Sequence, residues 1–216
     1  MMKTTGFFCF LILLSVACGQ DHVNQVPCPG VGDNAFQKNC IVPDLVAQAP
    51  KEVLKVQYLP SGLTLQNGNE LKPEDVKDAP SAVQWTSTSY DGILYTLSKS
   101  DPDASSRQSP TRAPINHWLI VNIRGNDLSS GDLLMPYGGA RPPNGTGLHR
   151  YVFMVFKQAG RIDVTDLRSQ FSPTNRTKFE IKNFAAAHNL DPQPLAGNFY
   201  QAKWSEFLAV PAVKIT

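Results

Sequence analysis

The sequence predicts a mainly β domain, and three observations carry this prediction. The chain of 216 residues contains 17 prolines and 15 glycines, which favour short elements joined by ordered turns. Two nearly continuous apolar runs, residues 118–123 and 151–156, are typical of central strands that are covered on both faces. Only residues 184–190 show a clear helical pattern, with Asn183 placed to cap it.

The remaining elements follow in chain order. Residues 35–39 are suited to a turn or two of helix. Apolar and polar residues alternate over 53–58, which predicts a strand, and turn residues on either side of 63–65 predict a second short strand. Residues 82–85 and 93–97 are further short strands, and glycines crowd the region between the two central strands.

Composition narrows the classes of function. Apolar residues make up 42% of the chain and charged residues 18%, which is typical of a folded domain with a real core. The 20 Lys and Arg residues nearly balance the 18 Asp and Glu residues, which leaves a formal charge of +2. Without a basic block, the sequence lacks the electrostatic footprint of a nucleic-acid-binding protein.

The first residues have the order of a secretory signal peptide. Lys3 precedes an apolar run over residues 7–14, and the small residues Ser15, Ala17 and Gly19 follow. This run is too short to span a bilayer. We therefore expect residues 1–19 to be a signal peptide and the protein to be secreted and extracellular. A bacterial lipoprotein signal ending at Cys18 is the alternative, and it is disfavoured because Ser15 stands where such signals usually have leucine.

Export changes how the cysteines are interpreted. Cys28 and Cys40 remain as an even pair after the signal peptide, and in an oxidising compartment they most simply close a small N-terminal loop as a disulfide. A two-cysteine metal site is the alternative, but neighbouring His or Cys ligands are missing. Asn144 and Asn175 begin Asn-x-Thr sequons and are candidate glycosylation sites.

Three segments contain residues suited to binding chemistry. Asp101 and Asp103 follow a predicted strand, where they either form a turn or orient a histidine or cationic headgroup. His117 enters a central strand, where a structural role is the simpler alternative. The glycine-rich segment 139–151 offers backbone N–H groups to an anion. It matches neither a P-loop nor a dinucleotide fingerprint.

These segments are more informative together. His117 and His149 each open one of the two strongest strands. If those strands are neighbours that start at the same sheet edge, both imidazoles face one pocket, with the Asp101 turn beside them. Two imidazoles, glycine amides and Tyr151 would bind a phosphate, and Asp101 would orient an imidazole or meet an amine.

The same motifs, in their order along the chain, resemble the phosphatidylethanolamine-binding proteins, a family that includes the Raf kinase inhibitor proteins. The resemblance runs from about residue 42 to the end and rests on Asp101-Pro102-Asp103-Ala104, His117, Gly125-Asn126-Asp127-Leu128-Ser129-Ser130-Gly131, Pro142-Pro143, Gly145-Thr146-Gly147-Leu148-His149-Arg150-Tyr151 and Tyr200-Gln201-Ala202-Lys203-Trp204. It implies a domain over residues 42–216, preceded by an extension over residues 20–41 that holds Cys28 and Cys40. With the signal peptide, it indicates a secreted animal member of the family.

The resemblance implies a large β-sheet packed on a smaller one, with short helices near the C-terminus. It implies a ligand pocket at one end of the sheet, and it implies a cis peptide bond in the loop before His117, which we assign to Ala113–Pro114. Arg141 stands where the family has a small residue. The residues that match the family's pocket are Asp101, Ala104, His117, Pro143, His149 and Tyr151.

The leading hypothesis is a non-enzymatic secreted protein without a cofactor that binds phosphatidylethanolamine-like headgroups or another small phosphate-bearing anion. The alternative is a secreted inhibitor of an extracellular protein such as a protease. An enzyme built on Asp101, His117 and His149 would need a nucleophile or a metal. Ser106 is close in sequence, but the chain has no Gly-x-Ser-x-Gly nucleophile elbow.

Overall fold

A computed structural model of the chain describes residues 32–87 and 92–209. Six strands form one large sheet in the order β1-β9-β8-β5-β6-β7, and three form a small sheet in the order β3-β2-β4. The predicted architecture of a large sheet and a smaller one is therefore confirmed. The strands are β1 (Glu52–Val53), β2 (Lys55–Tyr58), β3 (Leu63–Thr64), β4 (Ala82–Gln84), β5 (Leu94–Asp101), β6 (Ile115–Arg124), β7 (Asp132–Met135), β8 (His149–Lys157) and β9 (Ala196–Ala202).

The helices in the described residues are short. They are α1 (Ala35–Lys38), α2 (Ile41–Asp44), α3 (Leu167–Gln170) and α4 (Ile181–Ala187), with 3-10 turns at Pro73–Val76, Leu128–Ser130 and Glu206–Ala209. No helix in the described ranges is long and apolar enough to cross a bilayer.

The structure shifts the predicted C-terminal helix towards its N-terminus. Helix α4 begins at Ile181 after the N-cap residue Glu180, so Asn183 lies inside the helix and is not its cap. Ile181, Phe184 and Ala185 are buried at i, i+3 and i+4 spacing. This apolar face explains why the helix begins at Ile181, three residues before the predicted start.

The alternating run over residues 53–58 passes from one sheet to the other. Val53 pairs in parallel with Gly197 of β9, whereas Val56 pairs with Val83 of β4 in the small sheet. Leu54, between the two strands, is fully buried. One continuous sequence pattern therefore serves two sheets, because the chain turns between them at a buried residue.

The large sheet is covered on both faces. Tyr95, Ile120 and Phe153 pack in a cluster between the two sheets. On the opposite face, Phe156 and Val121 pack in a second cluster with the short helices. This double coverage is the physical reason why β6 and β8 read as nearly continuous apolar runs.

The segment before residue 46 belongs to this second cluster. Phe36 and Ile41 are buried, and the ring of Phe36 meets the ring of Phe199 edge to face at 5.5 Å. The boundary that we predicted between residues 41 and 42 therefore falls inside a packed segment. Cys40 is disulfide-bonded. Residues 1–19 and Cys28 lie outside the described residues, so the signal peptide and the Cys28–Cys40 pairing stay predictions.

The loop between β5 and β6 contains two cis peptide bonds. The bond between Ala113 and Pro114 is cis, which confirms the prediction. The bond between Ala104 and Ser105 is also cis.

Candidate functional site

The two strongest strands are not direct neighbours. Strand β5 lies between β6 and β8 and pairs antiparallel with both. Because β5 runs against each of them, β6 and β8 are parallel to each other and start at the same edge. Strand β5 ends at that edge with Asp101. Of the two conditions considered above, direct pairing is not met and a shared starting edge is met, so Asp101, His117 and His149 lie at one edge.

A β-bulge sets the direction of His117. In the pairing of β5 with β6, Lys99 lies opposite Trp118 and Ser100 lies opposite Asn116, so His117 is the extra residue. A bulge of this kind re-aims a side chain relative to the regular alternation. The His117 ring meets the edge of the Tyr151 ring at 5.2 Å and 78°, which places both side chains on the face of the sheet that carries the site.

Asp101 holds the imidazole of His149. Its Oδ2 lies 2.9 Å from Nδ1 of His149, and its Oδ1 accepts the Asp103 backbone N–H at 2.7 Å. Burial raises the pKa of Asp101, and the hydrogen bond with His149 opposes that rise. On the other side of the ring, Nε2 lies 2.9 Å from the hydroxyl of Thr146. Both ring nitrogens of His149 therefore have protein partners.

His117 is held differently. Its Nδ1 donates to the carbonyl oxygen of Gly138 at 3.1 Å, because a carbonyl can only accept. Burial lowers the pKa of His117 well below its usual value, and the nearby charge of Lys99 lowers it further. The neutral ring therefore presents Nε2 as an acceptor. A ligand at this nitrogen must offer a donor, such as an ammonium or a protonated phosphate oxygen.

Tyr151 supplies a hydroxyl to the same site. Its oxygen accepts the Arg141 backbone N–H at 3.2 Å, and its ring stacks on Tyr200 at 5.1 Å. Burial raises the pKa of Tyr151 well above its usual value, so the hydroxyl keeps its proton at neutral pH. The O–H can then donate to a ligand oxygen.

The remaining predicted residues lie at the rim. Pro143 is exposed, and its carbonyl oxygen accepts the Thr146 hydroxyl at 2.8 Å, which links the rim to His149. Ala104 is half-buried in the turn after β5. The structure thus places Asp101, His117, His149 and Tyr151 in one cluster and Ala104 and Pro143 around it. Asn144 and Asn175 are exposed, and their glycosylation stays a prediction.

Sequence reasoning missed the partner of Asp103. The guanidinium of Arg150, which is 2% exposed, donates to both carboxylate oxygens of Asp103 at 2.9 and 2.6 Å and to Asp44 at 2.8 Å. Asp103 therefore has a structural role, while Asp101 faces the site. Strand alternation could have indicated this role, because it puts His149 and Tyr151 on one face of β8 and Arg150 on the other.

Two sheets that bury a cluster of imidazole, carboxyl and phenol groups at one strand edge define a β-sandwich-like binding domain. Residues 56–201 match the family model described as phosphatidylethanolamine-binding protein. The chain belongs to this family, as the resemblance predicted.

Individual relatives agree with this assignment. The chain is 27% identical over 200 residues to "Putative odorant-binding protein A5" of Drosophila melanogaster, covering 92% of this chain and 90% of that protein. The solution structure of the protein CG7054 is 40% identical with a TM-score of 0.61, over 78% of this chain and 93% of that one. Carboxypeptidase Y inhibitor, solved with its cognate proteinase, is 25% identical with a TM-score of 0.65, over 79% of this chain and 94% of that chain.

Proposed function

We propose that this protein is a secreted, non-enzymatic binding protein for a phosphate-bearing headgroup of the phosphatidylethanolamine type. The observation that carries the proposal is that the two histidines at the strand edge have different hydrogen-bond partners. Asp101 and Thr146 hydrogen-bond to the two ring nitrogens of His149 and hold the ring in position. Nε2 of His117 is an acceptor for a ligand, and the O–H of Tyr151 is a donor. Phosphorylethanolamine has phosphate oxygens for the donor and an ammonium for the acceptor, so it complements both.

Replacing either site histidine is expected to weaken binding of phosphorylethanolamine by about tenfold or more. His117→Ala removes the acceptor Nε2, and a hydrogen bond to a charged group contributes roughly 1.5–3 kcal/mol. His149→Ala acts indirectly, because it removes the ring that holds Asp101 and Thr146 beside the site. Isothermal titration calorimetry of the wild type, His117→Ala and His149→Ala measures this directly. His188→Ala is the matched control, because His188 packs against Phe184 of α4 and not at the strand edge.

Unchanged affinity in both site variants, with folding intact by circular dichroism, would place the ligand elsewhere. Titration with inorganic phosphate and with vesicles that contain either phosphatidylethanolamine or phosphatidylcholine separates the two sources of the phosphate group. Preference for the phosphatidylethanolamine vesicles supports the lipid, and equal binding of free phosphate supports a soluble anion.

The similarity to carboxypeptidase Y inhibitor favours a second candidate function, inhibition of a protease. That inhibitor is matched over 94% of its length at 25% identity. The direct test is an activity assay of carboxypeptidase Y with increasing amounts of this protein. Inhibition that persists in His117→Ala would separate an inhibitory surface from the headgroup site.

Secretion is also part of the proposal, and it predicts that Cys28 and Cys40 are joined. Non-reducing peptide mapping of the exported protein is expected to recover one cross-linked peptide that contains both residues. Closing so small a loop stabilises the folded chain by roughly 3 kcal/mol on the chain-entropy account. Two free thiols in the map would refute the pairing.

A further inference from the structure

Lys99 is a lysine in the middle of the core. It lies in β5 on the same face as Tyr95 and Leu97, which pack between the two sheets, and it is fully buried. Its Nζ donates to the hydroxyl of Tyr137 at 3.0 Å and to the carbonyl of Gly138 at 2.9 Å. Both acceptors are uncharged. A buried ammonium without a carboxylate partner is costly, so this lysine is not explained by folding alone.

Aromatic rings surround the amine. Nζ lies 4.1 Å from the ring centroid of Tyr137 and 5.4–5.5 Å from those of Tyr151, Phe153 and Tyr200. Ring faces attract a cation, so the cage tolerates the protonated amine. Burial nevertheless lowers the pKa of Lys99 well below its usual value, and the charge of Asp101 opposes this. The charged and titratable groups around the amine are Asp101, His117, Tyr137, Tyr151, Arg176 and Tyr200.

One carbonyl group joins Lys99 to the site. The oxygen of Gly138 accepts from Nζ of Lys99 and also from Nδ1 of His117. The amine and the imidazole therefore meet at one acceptor, on the Nδ1 side of the ring, which leaves Nε2 to a ligand. An alkyl amine is intrinsically more basic than an imidazole, and the ring faces around Lys99 attract a cation at the amine.

We propose that Lys99 supplies the positive charge of the anion site and takes up a proton when a phosphate group binds beside His117. The proposal rests on the proposed function. The phosphate provides the counter-charge that the two uncharged acceptors do not, and attraction between charges is stronger across a protein interior than in water. Because the bound state then holds more protons than the free state, binding must weaken as the pH rises.

The test is calorimetry of phosphorylethanolamine and of inorganic phosphate at one pH, in buffers that differ in their heat of ionisation. The wild type is expected to show net proton uptake on binding. Lys99→Met should lose this uptake and bind at least about tenfold more weakly. Lys55→Met is the matched control: it removes the same charge from an exposed position of β2 and should change neither quantity.

Lys99→Met should fold, because its former partners keep other hydrogen bonds. The carbonyl of Gly138 retains His117, and the hydroxyl of Tyr137 retains Tyr58 at 3.0 Å. The wild type alone gives a second readout, since its phosphate affinity should fall as the pH rises through the pKa of Lys99.

The proposal is overturned if a folded Lys99→Met variant keeps the wild-type affinity and the wild-type proton uptake on binding. It is also overturned if the affinity of the wild type does not change with pH. Neither result contradicts the proposed function. If the wild type binds neither ligand, the proposed function fails and this proposal fails with it.

Discussion

Replacing Arg150 with alanine is expected to lower the free energy of unfolding by about 3–5 kcal/mol, because it leaves a buried carboxylate without its cation. Arg150 and Asp103 are both nearly inaccessible to solvent. In the variant, Asp103 would keep only its hydrogen bond from the backbone N–H of residue 150, which is 2.8 Å long in the wild type. Denaturant unfolding followed by circular dichroism measures the loss.

Arg161→Ala is the control for this experiment. Arg161 also pairs with an aspartate, Asp132, at 2.8 Å, but its side chain is 58% exposed, and exposed pairs contribute about 0–1 kcal/mol. The double variant Arg150→Met with Asp103→Asn should recover part of the stability, because it removes both charges. A loss for Arg150→Ala no larger than that for Arg161→Ala would contradict a structural role for this pair.

Replacing Phe36 with alanine is expected to cost about 3–5 kcal/mol of unfolding free energy, which is typical of a buried phenylalanine. Phe36 packs edge to face on Phe199 and approaches β9 closely, since a Cβ atom at Gly197 would lie 2.8 Å from its ring. Thermal and denaturant unfolding of the variant also show whether residues 32–41 fold together with the rest of the domain.

Phe207→Ala provides the comparison, because Phe207 is 43% exposed and surface substitutions usually change stability by about 0.5 kcal/mol or less. If Phe36→Ala were equally mild, the N-terminal segment would be an attachment to the domain and not part of its core.

The site was predicted in part because its residues begin or end strands. His117 and His149 could be assigned to one edge from their positions in the sequence, since both precede long apolar runs. The separate roles of the two imidazole rings could not be predicted from the sequence, because they depend on which ring nitrogen contacts Asp101, Thr146 or Gly138. Those contacts come from chain segments far apart in sequence.

Lys99 shows the same limit. Lys99 lies two residues beyond the strand predicted over residues 93–97, whereas β5 extends to Asp101. Strand periodicity also does not say which face of a strand is buried. Only the packing of the small sheet over that face, together with the rings of Tyr137 and Tyr200, makes it a buried amine. The bulge at His117 is likewise a property of pairing with β5, and the sequence of β6 does not reveal it.

The sequence by itself determined the mainly β class, the two strongest strands, the family and four residues that cluster at one strand edge. Apolar periodicity and family motifs are local patterns, so they can be recognised without tertiary context. The tertiary structure alone decided that β5 separates those strands, that Arg150 pairs with Asp103, and that Lys99 and His117 share the carbonyl of Gly138. Strand order, buried ion pairs and shared acceptors depend on contacts between distant segments, and those contacts form only when the sheets close over the core.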